Sequence, residues 1–395
     1  MLLNADRLSR LMAADGLQAV VATSAENVTY CSGFWALSQW VRRGPQTYVL
    51  LPDPKLGEPV IITGTSMLDL IADQKPWVRQ VRRFSDFVIE RDEEAVLDAI
   101  DQHHAELYAL PDERTPLAAL CNAIGDGGLA AARIGVEELG LTPGYLTALR
   151  DAFPGAQFVP ADSIFRRCRA VKTEAEIERL RISARIAEQS IAAALEIARE
   201  GATERDLALA FHARTVLEGG MPVLGCIGFG TRSAMTNVQP SDRALRPGEI
   251  IRFDVGGRYA HYRSDIARIG VLGEPSAKAA AYHRALQAGV RRACHILRPG
   301  LAVRDLFDAV VETVRREGLP HYRRTHVGHG IGLDGYDAPD LGPNSSETIE
   351  EGMVLCVETP YYELGAWGLQ VEDMLVVRAD GVESLMQTDG SMVML

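Results

Sequence analysis

Cysteines are sparse in this chain, and long apolar runs are missing. The six cysteines among 395 residues form no C-x-x-C pair, which is typical of free or buried thiols in a reducing compartment. No stretch approaches the roughly 18–20 consecutive apolar residues that a bilayer-spanning helix needs. The N-terminus has neither the basic nor the apolar region of a signal peptide. We therefore expect a cytoplasmic protein with no membrane partner.

Positive charge and phosphate-binding loops are also in short supply. Lys and Arg number 41 against 53 Asp and Glu, which gives a formal net charge of −12. A net acidic chain lacks the basic surface of a general nucleic-acid binder, so we expect no nucleic-acid partner. No G-x-x-x-x-G-K-[ST] loop occurs, and no G-x-G-x-x-G follows a predicted strand. These absences favour a protein that handles small molecules or gathers acidic ligands around a cation.

The N-terminal part of the chain alternates helical and strand patterns. Residues 7–16 place Leu and Met side chains on one face of a short helix, and turn signals separate the apolar segments that follow. Strands are expected at residues 18–23, 48–51 and 60–63. This pattern predicts an α/β domain with its own sheet.

A domain boundary is expected where a basic patch precedes a strong helix start. Thr173 and Glu176 have the spacing of a capping box, and a long apolar stripe follows at helical spacing up to Gly201, where we expect the helix to end. The length also favours more than one domain, at about 150 residues for each. We therefore expect domains at residues 1–165 and 166–395.

The second domain contains an internal repeat. Residues 201–207 resemble residues 300–306, and each copy leads into an amphipathic helix that is expected to end at a glycine. Residues 248–254 then resemble residues 352–358, since in both a turn glycine is followed six residues later by a carboxylate ending an apolar strand. Two such copies predict two related halves whose strands share one sheet. Chance similarity of short segments is the alternative.

Four carboxylates stand in apolar segments of this domain, where a charge is costly to bury. They are Asp254, Asp265, Glu358 and Glu372. Each alone could be a salt-bridged or rim residue, but four converging carboxylates repel one another unless cations lie among them. His329 lies between glycines, which would let the backbone pack closely around a bound object. A lone histidine is more often a core residue, but beside four acids a ligand role is favoured.

Four carboxylates and one imidazole suit divalent cations such as Mn²⁺, Co²⁺ or Zn²⁺. Two such ions would neutralise the four negative charges. Two metals about 3.5–4 Å apart can hold a bridging hydroxide and polarise a carbonyl group. The residues therefore predict a dinuclear metal-dependent hydrolase, whose metal-bridged hydroxide attacks an amide carbon.

The five positions resemble the pita-bread metallopeptidase superfamily, which includes prolidase, Xaa-Pro aminopeptidase, methionine aminopeptidase and creatinase. The gaps of 11, 64, 29 and 14 residues between them are most similar to those of a compact prolidase. Residues 7–12 and 26–33 resemble the creatinase/prolidase N-terminal domain, and residues 171–177 resemble the entry into the catalytic domain. The resemblance implies an α/β (α+β) protein, with a creatinase-like N-terminal domain and a pita-bread domain that has a pseudo-twofold repeat. It also implies a homodimer.

The resemblance further implies a role for each ligand. Asp254 would chelate one metal, and Asp265 and Glu372 would bridge both. His329 and Glu358 would complete the second metal. Glu358 is also the residue expected to handle the proton of the bridging water.

Two pocket histidines of the family are replaced in this chain. By the resemblance, Asn237 and Tyr336 stand where histidines usually hydrogen-bond the substrate and the tetrahedral intermediate. Asn237 donates a hydrogen bond but does not titrate near neutrality, and the reference pKa of a tyrosine is about 10. His326, three residues before His329, would face the pocket in place of a missing histidine, or be structural.

Other candidate pocket residues are basic or aromatic. Arg263 and Arg268 flank Asp265 and would pair with acids or meet a substrate carboxylate, the structural role being favoured. Trp40 and the Arg42–Arg43 pair are specificity candidates because the N-terminal domain of relatives reaches into the partner's pocket. A surface role is the alternative for them.

Three functions are compatible with these observations. The first is a prolidase-like hydrolase of the Xaa-Pro peptidase type, which cleaves a dipeptide or a small amide. The second is a creatinase-like or lyase-type relative that acts on a small non-peptide substrate. The third is a non-catalytic binding protein that has kept the fold. The five intact ligands favour the first, and the replaced histidines favour the non-peptide substrate of the second.

Overall fold

The computed structural model describes residues 1–41, 46–92 and 94–395. These residues form two compact units, Met1–Cys168 and Arg169–Leu395. The Arg42–Arg43 pair lies outside the described residues. The division into domains 1–165 and 166–395 stays a prediction. In the described part of the chain no helix has both the length and the apolar character needed to span a bilayer.

The first unit is built on a six-stranded mixed sheet. Its strands are β1 (Ala19–Ala22), β2 (Tyr48–Pro52), β3 (Val60–Gly64), β4 (Gln80–Phe84), β5 (Arg133–Val136) and β6 (Gln157–Pro160). They lie in the order β4-β3-β2-β1-β5-β6, and the central β1 is antiparallel to β2 and parallel to β5. The three strands expected from apolar runs are confirmed as β1, β2 and β3, each end within one residue.

Helices flank this sheet. They are α1 (Ala5–Ala14), α2 (Ala25–Ser32), α3 (Leu37–Trp40), α4 (Leu68–Gln74), α5 (Ala99–Tyr108), α6 (Pro116–Asp126), α7 (Tyr145–Ala152) and α8 (Asp162–Ala170), and Thr65–Met67 form a 3₁₀ turn. Leu120 and Ile124 of α6 are fully buried in one apolar cluster with Ile62 and Ile134 of the sheet. This cluster is a core of the unit's own, as expected for an independent α/β domain.

Four long helices belong to the second unit. They are α9 (Glu174–Glu196), α10 (Glu204–Leu217), α11 (Ala277–Ile296) and α12 (Val303–Arg316). The capping box at the start of α9 is confirmed, because Thr173 and Glu176 each bond the other's backbone N–H. The expected end at Gly201 is wrong. The helix ends at Glu196, and Gly201, with φ +87°, serves the turn into α10 instead.

A ten-stranded sheet carries the rest of the second unit. Its strands are β7 (Met221–Phe229), β8 (Ile250–Tyr259), β9 (Tyr262–Arg263), β10 (Ile266–Val271), β11 (Gly328–Gly330), β12 (Asp337–Asp340), β13 (Val354–Glu358), β16 (Glu372–Arg378), β17 (Gly381–Ser384) and β18 (Val393–Met394). A separate hairpin consists of β14 (Tyr361–Glu363) and β15 (Trp367–Leu369), and Gly230–Ala234 form a 3₁₀ turn. The main path across the sheet is β12-β11-β13-β16-β10-β8-β7.

This path shows the internal repeat as a pseudo-twofold arrangement. Strands β7, β8 and β10 follow the α9–α10 helix pair in the chain, and β11, β13 and β16 follow the α11–α12 pair. The two triplets meet at the antiparallel β10–β16 pair, so corresponding strands lie at equal distances from the centre of the sheet. Two isolated bridges repeat as well, Thr203 with Ala244 and Ala302 with Thr348. The predicted fold class is therefore confirmed.

Candidate metal centre

The central strands carry the five predicted ligands. Glu358 ends β13 and lies directly opposite Glu372, the first residue of β16. Asp254 lies on β8 opposite the second residue of β10, and Asp265 immediately precedes β10. His329 is the middle residue of β11, which pairs with β13. Like charges placed opposite each other destabilise a sheet, so this arrangement needs a compensating reason.

Side-chain distances show that the five groups converge. Asp254, Asp265 and Glu372 each offer a carboxylate oxygen within 4.8 Å of the other two. The Nε2 atom of His329 lies 3.9 Å from Oδ2 of Asp265. The amide nitrogen of Gln370 lies 3.2 Å from Oε2 of Glu358 and 3.2 Å from Oε2 of Glu372. The structure thus brings the predicted ligands together, while their assignment as metal ligands stays a prediction.

Glycines explain how the strands deliver these residues, although not in the expected way. Asp254 was expected to end its strand, but β8 continues to Tyr259. A Cβ atom on Gly256 would lie 1.8 Å from the carbonyl oxygen of Ser264. Glycine therefore lets the returning chain approach β8 closely, which carries Asp265 back to Asp254.

The glycines beside His329 have a similar role. A Cβ atom on Gly328 would lie 1.9 Å from the carbonyl oxygen of Cys356, and one on Gly330 would lie 2.1 Å from that of Ala338. The expectation that these glycines admit a bound object is therefore wrong. They admit the neighbouring strands β13 and β12, and so fix the position of the imidazole.

Burial and mutual repulsion disfavour four ionised carboxylates at this place. Burial, followed by the charges of neighbouring acids, raises the pKa of Asp265 and of Glu372 well above the usual range. Burial also raises the pKa of Asp254, and it raises the pKa of Glu358 to about 7. Oδ1 of Asp265 is buried and has no hydrogen-bond partner among the described residues. Cations among these oxygens would relieve both the repulsion and the unmet acceptor.

The donor set fits divalent metal ions. It consists of carboxylate oxygens and one imidazole, which suit Mn²⁺, Co²⁺ or Zn²⁺. Nδ1 of His329 lies 3.0 Å from the carbonyl oxygen of Gly330, so Nδ1–H donates there and leaves Nε2 with a lone pair directed at the acids. Burial lowers the pKa of His329, which keeps the ring neutral as a ligand requires.

A fully buried arginine adjoins the carboxylates and was missed from the sequence. Nη1 of Arg252 lies 2.9 Å from Oδ2 of Asp254 and 2.9 Å from Oε1 of Gln370. Its other donors reach the carbonyl oxygens of Ser233, Met235 and Thr236 at 2.7–3.1 Å. This guanidinium holds one oxygen of one carboxylate, which leaves most of the negative charge of the cluster for cations. The sequence signal for Arg252 was its charge in an apolar strand, two positions before Asp254 and so on the same face.

Gln370 and Tyr362 complete this network. The Gln370 amide nitrogen donates to Glu358 and Glu372, while its oxygen accepts from Arg252 and from the hydroxyl of Tyr362 at 3.3 Å. The guanidinium carbon of Arg252 lies 5.1 Å from the centre of the Tyr362 ring. Because a guanidinium only donates, Arg252 fixes the orientation of the amide, and the amide in turn positions two carboxylates. No sequence motif marked Gln370 or Tyr362.

The predicted pocket residues differ in how close they come to the acids. Nδ1 of His326 lies 3.1 Å from Oε1 of Glu358, which places His326 at the centre. The ring of Tyr336 stacks on His329 with 4.0 Å between ring centres, and 64% of Tyr336 is exposed. Asn237 is exposed, and among the described residues it has no hydrogen bond or ion pair. The structure therefore places two of the three at the candidate centre, and Asn237 on the segment that Arg252 anchors.

Two arginines near the site behave differently from each other. Arg268 is buried, pairs with Asp373 at 2.9 Å and with Glu188 at 3.4 Å, and donates to the backbone oxygen of Glu372 at 2.8 Å. Its structural role is confirmed. Arg324, which the sequence did not single out, lies 3.8 Å from Oε1 of Glu358 and is partly exposed.

Comparison with known families agrees with this geometry. Residues 178–379, just over half of the chain, match the model of Metallopeptidase family M24, and residues 5–171 match the Creatinase/Prolidase N-terminal domain. An Xaa-Pro dipeptidase from Pyrococcus horikoshii is 26% identical over 265 residues, which cover 66% of this chain and 76% of that protein.

Solved structures show the same fold. An Xaa-Pro dipeptidase from Bacillus anthracis superposes with a TM-score of 0.81 at 22% identity, over 99% of this chain and 100% of that chain. An X-Pro aminopeptidase from Thermotoga maritima superposes with a TM-score of 0.78 at 23% identity, over 99% of each chain. At these identities the superpositions establish the architecture alone.

Proposed function

The chain belongs to metallopeptidase family M24, and from this premise we propose that it is a dinuclear metal-dependent hydrolase of the Xaa-Pro dipeptidase type. Membership makes it a peptidase-like enzyme, which argues against a non-catalytic binding protein. The observation that carries the proposal is the convergence of four carboxylates, buried or largely buried, and one imidazole on neighbouring strands. A homodimer and a cytoplasmic location stay predictions.

The proposed ligands divide between two ions. Asp254, Asp265 and Glu372 would hold one, and Asp265, His329, Glu358 and Glu372 the other, the ions being Mn²⁺, Co²⁺ or Zn²⁺. When bound, such ions lower the pKa of a water and polarise the carbonyl of the scissile amide. Arg252 and Gln370 orient the carboxylates that would bind these ions.

The chain's own groups can move the proton that hydrolysis requires. Glu358 accepts the proton of the attacking water and returns it to the leaving nitrogen. Nδ1 of His326 lies 3.1 Å from Oε1 of Glu358 but is not aligned for a hydrogen bond, so a rotation of the imidazole would let His326 support this transfer. The exposed phenol of Tyr336, stacked on His329, donates a hydrogen bond to the substrate.

A second candidate function rests on the replaced histidines. Neither the phenol of Tyr336 nor the amide of Asn237 titrates near neutrality, so neither can share in proton transfer as a histidine would. A creatinase-like or lyase-type reaction on a small non-peptide substrate is therefore the alternative.

A reconstitution experiment tests the proposal. The protein is stripped with a chelator, reloaded with Mn²⁺, and assayed with Xaa-Pro dipeptides, longer Xaa-Pro peptides and small cyclic or N-substituted amides. We expect dipeptide hydrolysis that depends on Mn²⁺. Glu372→Gln should lower it by roughly 10²–10³-fold or more, the scale on which loss of one electrostatic stabiliser is felt.

The exposed Glu347 provides a matched control, since Glu347→Gln makes the same chemical change at a residue outside the cluster. Full activity in Glu372→Gln would refute the centre. Turnover of the small amides alone, with none of the peptides, would favour the alternative function.

A further inference from the structure

A buried thiol lies directly beside the candidate centre, and the proposed function does not use it. Cys356 is fully buried on β13, two residues before Glu358, so both side chains point to the same face of the sheet. Its Sγ atom lies 3.6 Å from the backbone oxygen of Asp265. The thiol therefore belongs to the wall of the acid cluster.

The strand register places two further donors around this thiol. His329 is the direct cross-strand partner of Cys356. Glu372 lies opposite Glu358 and is therefore diagonal to Cys356, within reach of a long side chain. A nitrogen of His329, Sγ of Cys356 and a carboxylate oxygen of Glu372 all lie within 4.8 Å of one another, and all three residues are buried.

The geometry points to a thiolate-containing metal position formed by His329, Cys356 and Glu372, which takes a thiophilic divalent cation such as Zn²⁺ or Cd²⁺. The inference rests on the proposed function in that it shares two of the five proposed ligands. Tetrahedral zinc with bonds of about 2.0–2.3 Å places its ligand atoms roughly 3.3–3.8 Å apart, so the trio, whose atoms lie within 4.8 Å of one another, must close by about 1 Å. Binding forms a metal–sulfur bond while the thiol proton leaves to solvent.

Occupation of this position excludes the dinuclear arrangement. A thiophilic ion on the trio withdraws His329 and Glu372 from the four-carboxylate centre, whereas Mn²⁺ prefers the oxygens. Cd²⁺ at this position should therefore compete with Mn²⁺ for the site, whereas Zn²⁺ can occupy either position. Cys356 alone then determines whether a thiophilic ion can displace the Mn²⁺ that supports hydrolysis.

Cobalt is a probe that reports sulfur ligation directly. We expect Co²⁺ added to the stripped full-length protein to produce a thiolate-to-cobalt charge-transfer band in the near ultraviolet. The band should disappear in Cys356→Ser and remain in Cys226→Ser. Cys226 is the matched control, because it is buried and lies opposite Asp254 across β7 and β8, yet is not part of the trio. Cd²⁺ should bind at least ten-fold more weakly to Cys356→Ser than to the wild type.

The outcomes separate this inference from the proposed function. Co²⁺ bound without the band, or a band that survives in Cys356→Ser, overturns the thiolate position and leaves the carboxylate centre standing. A protein that binds no Co²⁺ overturns both.

Should Cys356→Ser fail to fold, a Cys121→Ser/Cys226→Ser/Cys294→Ser variant decides, since it removes the two partly exposed thiols and the buried thiol opposite Asp254. One equivalent of Cd²⁺ must still produce a cadmium–thiolate absorption there. Its absence also overturns the position.

Discussion

At the scale of single residues, the carboxylates of the acid cluster lower the stability of the metal-free protein but are the groups that would bind cations. Asp265 is surrounded by Asp254, Glu358 and Glu372, and its Oδ1 has no protein partner in the described chain. Such a residue is retained at a cost to folding, because each unit of pKa shift corresponds to about 1.4 kcal/mol between its two protonation states. The carboxylate of Asp265 is therefore best explained by the cations that its oxygens would bind.

Asp265→Asn should separate these two effects. Without metal we expect the variant to be more stable than the wild type by about 1 kcal/mol or more at pH 8, because one source of repulsion is gone. With Mn²⁺ we expect the wild type to melt at a higher temperature and Asp265→Asn to show no such rise. Thermal unfolding with and without chelator measures both. Asp242→Asn, at an exposed ion pair, is the control and should change neither. A less stable stripped Asp265→Asn protein would contradict this account.

The residues at the two replaced histidine positions govern substrate choice in the proposed function. Each histidine donor that contributes to the transition state is worth about 3 kcal/mol. We expect the double change Asn237→His with Tyr336→His to raise kcat/KM for Xaa-Pro dipeptides, by about ten-fold or more. Steady-state kinetics on the Mn²⁺-loaded protein measures it. Tyr336→Phe serves as a control for loss of the phenol alone. An unchanged or lower rate would mean that these positions do not determine specificity.

At the scale of elements, the strands and carboxylates that belong to the internal repeat could be predicted from the sequence, whereas the contacts made outside the repeat could not. The glycine-to-carboxylate spacing appears twice, so the shared sheet and the positions of Asp254 and Glu358 could be predicted. The β14–β15 hairpin between β13 and β16 was not predicted, and its Tyr362 reaches Gln370 only through tertiary contact. Arg252 was missed although it is a charge in an apolar strand. The three carbonyl oxygens that it binds belong to the 3₁₀ turn Gly230–Ala234 and the two residues after it, which the sequence does not connect to β8.

Arg252 joins residues 233–236 to β8, and we expect Arg252→Lys to loosen this segment. All five bonds of the guanidinium are made by fixed planar donors, which an ammonium group cannot reproduce. The loss should be on the order of 2–3 kcal/mol, and should increase amide exchange around residues 233–237. Urea unfolding and hydrogen exchange measure these effects. Arg205→Lys, at an exposed pair with Asp242, should cost little. Unchanged exchange at residues 233–237 would refute the anchoring role.

At the scale of the whole molecule, the buried acids make stability depend on pH in a sense opposite to that of salt-bridged carboxylates. Glu358 has a pKa raised to about 7, and Asp265 and Glu372 have pKa values well above the usual range, whereas the unfolded chain has glutamate pKa values of about 4.3. Between these limits the folded state binds more protons than the unfolded state. Stability is therefore fully present below about pH 4 as far as these groups are concerned, and is lost as the pH rises through 7.

We expect the chelator-treated protein to melt at a lower temperature at pH 8 than at pH 5.5, and excess Mn²⁺ to reverse this trend, because metal binding displaces the same protons. Glu176, buried and bonded to Tyr262, has a pKa that burial also raises to about 7, so part of the slope is independent of metal. Glu176→Gln should remove that part and leave the Mn²⁺-sensitive part in place. Calorimetry across this pH range measures both contributions. A stripped protein that gains stability from pH 5.5 to pH 8 would show that the carboxylates are already neutralised within the chain, and that no cation is needed among them.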